Sequence, residues 1–311
     1  MAQELAVDRV DEVPARGMSA ALLAVAMWGA GPVMASGIHM PGMTVVFYRL
    51  WTGALVTTGV LYARRGRLSW RVVRLSLAGG IAFGINISFF FSALKLTTVA
   101  NATVISALQP ALLFLVAGPL FGEHVRARDV AWTATAIGGV GLVVFGAHSA
   151  HGHQLKGDLL AVAALFSWSY YFVASKQARR QLGALEYQTA LTIVSAVVAT
   201  PIALLSGQAL SPGRYDPTTW MWLLLIVASG AVGHLSMNYA HAHVRLTVTS
   251  LLTLSTPVTS AAGAALFLHE GLSWPQAFGM AIVLAALAIV ISGRTRAESL
   301  RAAEESLAEP R

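Results

Sequence analysis

Apolar runs of about 20 residues recur along this chain from Met18 almost to Ser292, separated by short stretches rich in arginine, glycine and proline. A bilayer core about 30 Å thick is crossed by roughly 20 residues of helix, so each run has the length of one span. The pattern predicts ten spans, at 18–37, 43–63, 72–94, 97–120, 129–147, 157–176, 185–205, 218–241, 247–268 and 274–292. The connections between them are too short for a folded soluble domain. The chain therefore reads as an all-α integral membrane protein with tails at 1–17 and 293–311.

The runs are related to one another. The segment SALKLTTVANATVISALQPALLFLVAGPLFGE carries Ala93, Pro110 and Glu123, and YAHAHVRLTVTSLLTLSTPVTSAAGAALFLHE carries Ala240, Pro257 and Glu270 at the same places 147 positions later. Nearer the start, Ala21, Ala24, Trp28 and Val33 are answered by Ala161, Ala164, Trp168 and Val173 at a shift of 140. Two repeats of five spans follow, 18–147 and 157–292. Five is odd, so the second copy must cross the membrane in the opposite sense. Inverted repeats carry a pseudo-two-fold axis in the membrane plane, and exchanging their conformations turns an inward-open cavity into an outward-open one.

Composition narrows the class. With 11% charged and 56% hydrophobic residues the chain has too little polar surface to cover a soluble particle of this size. If both termini are cytoplasmic, 17 of the 21 lysines and arginines fall on the inside, against Lys95, Lys156 and Arg214 outside and Arg49 within a span. The positive-inside rule selects that orientation and also accounts for the pI of about 10.1, which argues against nucleic-acid binding. The first 17 residues mix Glu4, Asp8, Asp11 and Glu12 with Arg9 and Arg16, unlike the basic start of a cleaved signal peptide. Without cysteine there is no disulfide and no thiolate metal site. No phosphate loop, HExxH or GxSxG motif occurs, so no enzyme activity, cofactor or metal is expected.

The ten spans, the paired repeats, the small-residue first helix with Trp28, and Pro110 to Glu123 mirrored by Pro257 to Glu270 together resemble the drug/metabolite transporter superfamily, specifically its EamA branch. Within that branch the sequence is most similar to YddG-type bacterial exporters of aromatic and other amino acids. The resemblance implies a multi-pass protein of the bacterial inner membrane. It also implies a central cavity lined mainly by helices one, three, four, six, eight and nine. An amino-acid exporter, including aromatic and threonine- or methionine-like substrates, is the leading expectation. A multidrug or other metabolite exporter of the same fold, or a channel-like pore, stands as the alternative, and a monomer or weak oligomer is expected.

Candidate site residues are the polar and aromatic groups that lipid would penalise. Gly230, His234, Asn238 and His241 fall at spacings of four, four and three and make one polar stripe along helix eight, suited to substrate or to interhelical hydrogen bonds. Helix six offers Trp168, Tyr171 and Ser175 on one face, with Trp28 as the counterpart of Trp168, so two indoles are predicted to flank the pseudo-symmetry axis. Asn86, Asn101, Gln109 and Ser255 add polar groups from helices three, four and nine. Pro110 and Pro257 are predicted kinks that free a carbonyl in the preceding turn. Small-residue faces at Gly80 and Gly84, Gly118 and Gly122, and 137–141 read as helix packing surfaces. Arg49 lies within helix two with no acidic residue predicted near the bilayer centre, which marks it for a substrate carboxylate, for snorkelling or for capping carbonyls. His234 is the leading titratable group if a proton is the coupling ion, and uncoupled efflux is the alternative.

Overall fold

The computed structural model describes residues 2–35, 37–93, 96, 102, 105–123, 125–146, 155–267, 269 and 271–290. All regular structure among them is helical, as expected where lipid offers no partner to a free backbone N–H or C=O. In chain order the helices are α1 (Ala2–Ala35), α2 (Gly42–Ala63), α3 (Trp70–Ala93), α4 (Gln109–Phe121), α5 (Ala127–Gly146), α6 (Leu155–Ala178), α7 (Ala184–Leu205), α8 (Pro217–His243), α9 (Leu246–Phe267) and α10 (Trp274–Val290). Seven of them, α2, α3, α5 to α9, are long and apolar enough to cross a membrane, while Gln109–Phe121 and Trp274–Val290 are shorter apolar helices. The chain is a multi-pass membrane protein.

Large apolar side chains point outward, among them Leu55, Leu115, Phe145, Leu205 and Trp274, while Ser88, Gln109, Thr189, Ser195 and Asn238 are fully enclosed. An apolar outer face around an interior that is itself mostly apolar but encloses polar groups suits a lipid solvent.

Helix pairing follows the repeat. Advancing five helices turns the pair α1–α8 into α6–α3, and these are the two most extensive pairings among the described residues. The pair α2–α7 maps onto itself, as does α4 with the first half of α9. The symmetry is incomplete: α3 packs broadly on α7, whereas its counterpart, α8 on α2, makes a much smaller contact, and α1 packs more broadly on the second half of α9 than α6 does on α4. Close approach at α3–α7 depends on glycine, since a Cβ at Gly84 would stand 2.9 Å from the Ser195 carbonyl oxygen. There Ser195 Oγ donates to the Gly80 carbonyl at 2.8 Å, so the predicted small-residue face at Gly80 and Gly84 is indeed a packing surface. Gly118 and Gly122 differ from that expectation. Gly122 has φ +67° and ends α4 with its N–H turned back to the Gly118 carbonyl at 2.8 Å, a conformation that costs glycine least.

The two prolines break their helices and do not merely kink them. Pro110 is the second residue of α4, after a tight turn in which the Leu108 N–H reaches the Ile105 carbonyl at 3.1 Å. Pro257 is the second residue of the half-helix Thr256–Phe267, after a 3-10 turn at Thr253–Ser255 that divides α9. A proline has no N–H to lose in the first turn, so both sequences start a new half-helix at equivalent places.

The start of α8 is set by Asp216, whose carboxylate accepts from the Thr219 N–H and hydroxyl, both at 2.8 Å, with Pro217 in the first turn. The Thr219 backbone N–H holds that carboxyl below its usual pKa. The connection that precedes it is tied to α2 by Met43 N–H on Gln208 at 2.9 Å and by the Tyr48 hydroxyl on the Leu210 carbonyl.

Candidate functional site

The predicted indoles meet. Trp28 of α1 and Trp168 of α6 contact edge to face with ring centroids 5.5 Å apart. Trp28 also lies 5.0 Å from His234 of α8, and Phe83 of α3 closes the group 4.6 Å from His234 and 5.2 Å from Tyr171. The cluster thus draws on α1 and α3 from one repeat and α6 and α8 from the other. In this conformation the indoles touch each other and leave no gap for a flat ligand between them.

From the cluster a polar chain runs along α6 and α7. His234 Nδ1 and the Tyr171 hydroxyl are 3.2 Å apart, with Ser175 and Asn238 beside the same hydroxyl. Ser175 Oγ pairs with the Tyr187 hydroxyl at 2.8 Å. Asn238 Nδ2 donates to Gln188 Oε1 at 2.6 Å, and Gln188 Nε2 to Thr192 Oγ1 at 3.0 Å. Asn238 Oδ1 and both ring nitrogens of His241 are buried without a hydrogen-bond partner among the described residues, His241 resting edge-on against Phe172 at 4.8 Å. Buried groups of this kind are costly unless something occupies them for part of a cycle.

The remaining candidates divide. Asn86 donates to the Ala164 carbonyl at 2.9 Å and ties α3 to α6. Gln109 is enclosed between α4 and α9, where Oε1 accepts from Thr253 Oγ1 at 3.1 Å and Nε2 has no partner among the described residues. Ser255 Oγ donates to the Leu252 carbonyl at 2.7 Å, within the turn that precedes Pro257. Asn101 and Glu270 lie outside the described residues. Arg49 reaches from α2 to the middle of α8, where its Nη2 stands 2.9 Å from the place a Cβ on Gly230 would take.

Three contributors escaped the sequence reading. Phe83 and Phe172 looked like ordinary apolar positions, although Phe83 sits between the glycines of the α3 packing face. Glu123 served only as a repeat marker, yet its carboxylate accepts from the Leu246 N–H at 2.6 Å and the Thr247 N–H at 3.0 Å, with Lys176 Nζ at 3.6 Å. Lys176 Nζ in turn donates to the Val244 carbonyl at 2.7 Å. One glutamate thereby joins the end of α4, the start of α9 and the end of α6. Its recurrence at Glu270 was the available signal.

Residues 15–145 and 155–292 each match the EamA-like transporter family. The chain belongs to that family. A Salmonella typhimurium protein named "Probable amino-acid metabolite efflux pump" is 26% identical over 290 residues, covering 88% of this chain and 94% of its own length. An Ancylobacter novellus protein named "Aromatic amino acid exporter YddG" is 30% identical over 164 residues, covering 50% of this chain and 52% of its own. A crystal structure aligns with TM-score 0.74 at 23% identity over 93% of this chain and 99% of the other, which shows the shared fold. For an EamA-family transporter, a cluster contributed by both repeats is where substrate binding is sought.

Proposed function

We propose that this protein exports amino acids, aromatic ones included, by alternating access across a bacterial inner membrane. The observation that carries the reading is the Trp28, Phe83, Trp168, Tyr171 and His234 cluster, built by four helices from both repeats. Aromatic faces retain an apolar or aromatic side chain, and the polar chain through Tyr171, Ser175 and Asn238 offers hydrogen bonds to the ligand's polar end. The names of the two efflux relatives agree with this substrate class.

The proposed topology has ten spans, two inverted five-helix repeats and both termini in the cytoplasm. Under it the Glu123 junction lies at the cytoplasmic end and ties α4, α6 and α9 together on that side. Breaking the helices at Pro110 and Pro257 gives each repeat a half-helix able to swing against its partner. His234 is the titratable member of the site and the candidate for proton coupling.

Purified protein in liposomes, loaded with one unlabelled amino acid and supplied with a labelled panel, tests the reading with and without a pH gradient. Saturable counterflow that is strongest for aromatic members is the expected result. Linear, non-saturating flux, or no flux of any amino acid, would reject it.

A further inference from the structure

Arg49 is a cation of α2 that reaches the middle of α8, with no acidic group to answer it among the described residues. Gly230, over which its guanidinium lies, is 13 residues from either end of Pro217–His243, so the side chain has not snorkelled toward a surface. Among the described residues it makes no hydrogen bond and no ion pair, and none of the 14 acidic residues lies near the middle of an apolar segment. Its position is also where the repeats differ. The residue 147 places before Gly230 is Phe83, so one repeat sets an aromatic ring beside His234 where the other clears space for a guanidinium. A second N–H donor without an acceptor among the described residues, Trp28 Nε1, lies over Gly233, three residues further along α8 and 2.7 Å from where its Cβ would stand. The α2–α8 pair that holds Arg49 makes a smaller contact than its symmetry counterpart, α3–α7.

We propose that Arg49 anchors a carboxylate of the transported molecule, and that the carrier selects carboxylate-bearing substrates over analogues in which that group is amidated, esterified or missing. A guanidinium presents paired donors that match the two oxygens of a carboxylate, and an intramembrane arginine lacking a protein partner is satisfied by an anionic ligand that visits the site. With the aromatic cluster around His234, one turn along α8 from Gly230, the site then discriminates both ends of an amino acid. This rests on the exporter reading given above.

The test is competition in proteoliposomes. Labelled phenylalanine counterflow by the full-length protein is challenged with unlabelled phenylalanine, phenylalaninamide or phenethylamine, and the ratio of half-inhibiting concentrations is read for wild type and Arg49→Gln. Because a site built around one polar group rejects analogues lacking it strongly, wild type should prefer the acid by about 100-fold or more, and Arg49→Gln by less than about threefold. Should Arg49→Gln fail to accumulate in the membrane, Arg49→Lys and Gly230→Ala take its place. Lysine keeps the charge without the fork, and the added methyl would stand 2.9 Å from Nη2 and displace the guanidinium, so both should reduce the preference. Equal inhibition of wild type by acid and amide, or an unchanged ratio in the variants, would overturn the Arg49 proposal and leave the exporter reading standing. Absence of counterflow for every amino acid in wild type would overturn both.

Discussion

Replacing Glu123 by glutamine should open the end of the molecule that this residue now closes. In the structure its two carboxylate oxygens accept from the backbone N–H groups of Leu246 and Thr247 at 2.6 and 3.0 Å, and Lys176 Nζ stands 3.6 Å away. Glutamine is close in shape but keeps a single acceptor, turns an NH2 toward one of the N–H donors and abandons the lysine. Hydrogen bonds to a charged group contribute about 1.5 to 3 kcal/mol each, and the loss of one together with neutralisation of the other comes to about 2 to 3 kcal/mol. Since the ties span α4, α6 and α9, they exist only while these helix ends are together. At 1.4 kcal/mol per tenfold, the closed-to-open ratio falls roughly 30- to 150-fold. The chain has no cysteine, so a single Ser250→Cys on the buried first half of α9 gives a clean reporter. Its maleimide labelling rate should rise at least about tenfold in the Glu123→Gln background if opening precedes reaction. A variant that melts at a lower temperature yet labels at the wild-type rate would refute the reasoning, because Glu123 would then be a helix cap with no part in closure.

Single cysteines at Gly66 and Gly152 should be labelled from opposite sides of the membrane, Gly152 from outside; labelling from one side breaks the inverted topology. Trp28→Ala and Trp168→Ala should each lower the ratio of phenylalanine to threonine export by roughly 2- to 10-fold, from the aromatic contact energy of about 0.5 to 1.5 kcal/mol. Equal depression of both substrates would assign the indoles to packing, a role their 5.5 Å mutual contact also serves. The Asp216 cap should give a pH signature in melting experiments. Its folded pKa lies below the ordinary 3.8, held there by the Thr219 N–H, so its contribution is present above that value and is lost as pH falls through the folded pKa. The melting-temperature gap between wild type and Asp216→Ala should therefore be constant near neutrality and shrink below about pH 4; a gap that does not change with pH excludes the carboxylate as its source.

Much of this architecture is written in one dimension. Runs of apolar residues and scarce charge dictate helices in lipid, because each helix satisfies its own backbone whatever its neighbours are. The offsets of 140 and 147 expose the duplication, and the four-, four- and three-residue spacing of Gly230, His234, Asn238 and His241 puts them on one face of α8 before any neighbour is known. Trp28 and Trp168 were legible as partners for the same reason, being equivalent residues near a two-fold axis. What lies between helices was not legible. Whether Arg49 turns to lipid, to a surface or to Gly230 depends on the rotation of α2 against α8, 181 residues away in the chain, and Phe83 becomes part of the site only because α3 is set against α6 and α8. Proline chemistry announced a disturbance at 110 and 257, but only packing decided that it would be a break, after a tight turn at the first and a 3-10 turn at the second. Glu123 makes the same point, since its partners are backbone N–H groups of Leu246 and Thr247, and a backbone donor leaves no trace in residue identity. Local chemistry selects the helices and their faces; the rotation and depth of each helix against the others are collective properties of the packed bundle, and they alone bring the site together.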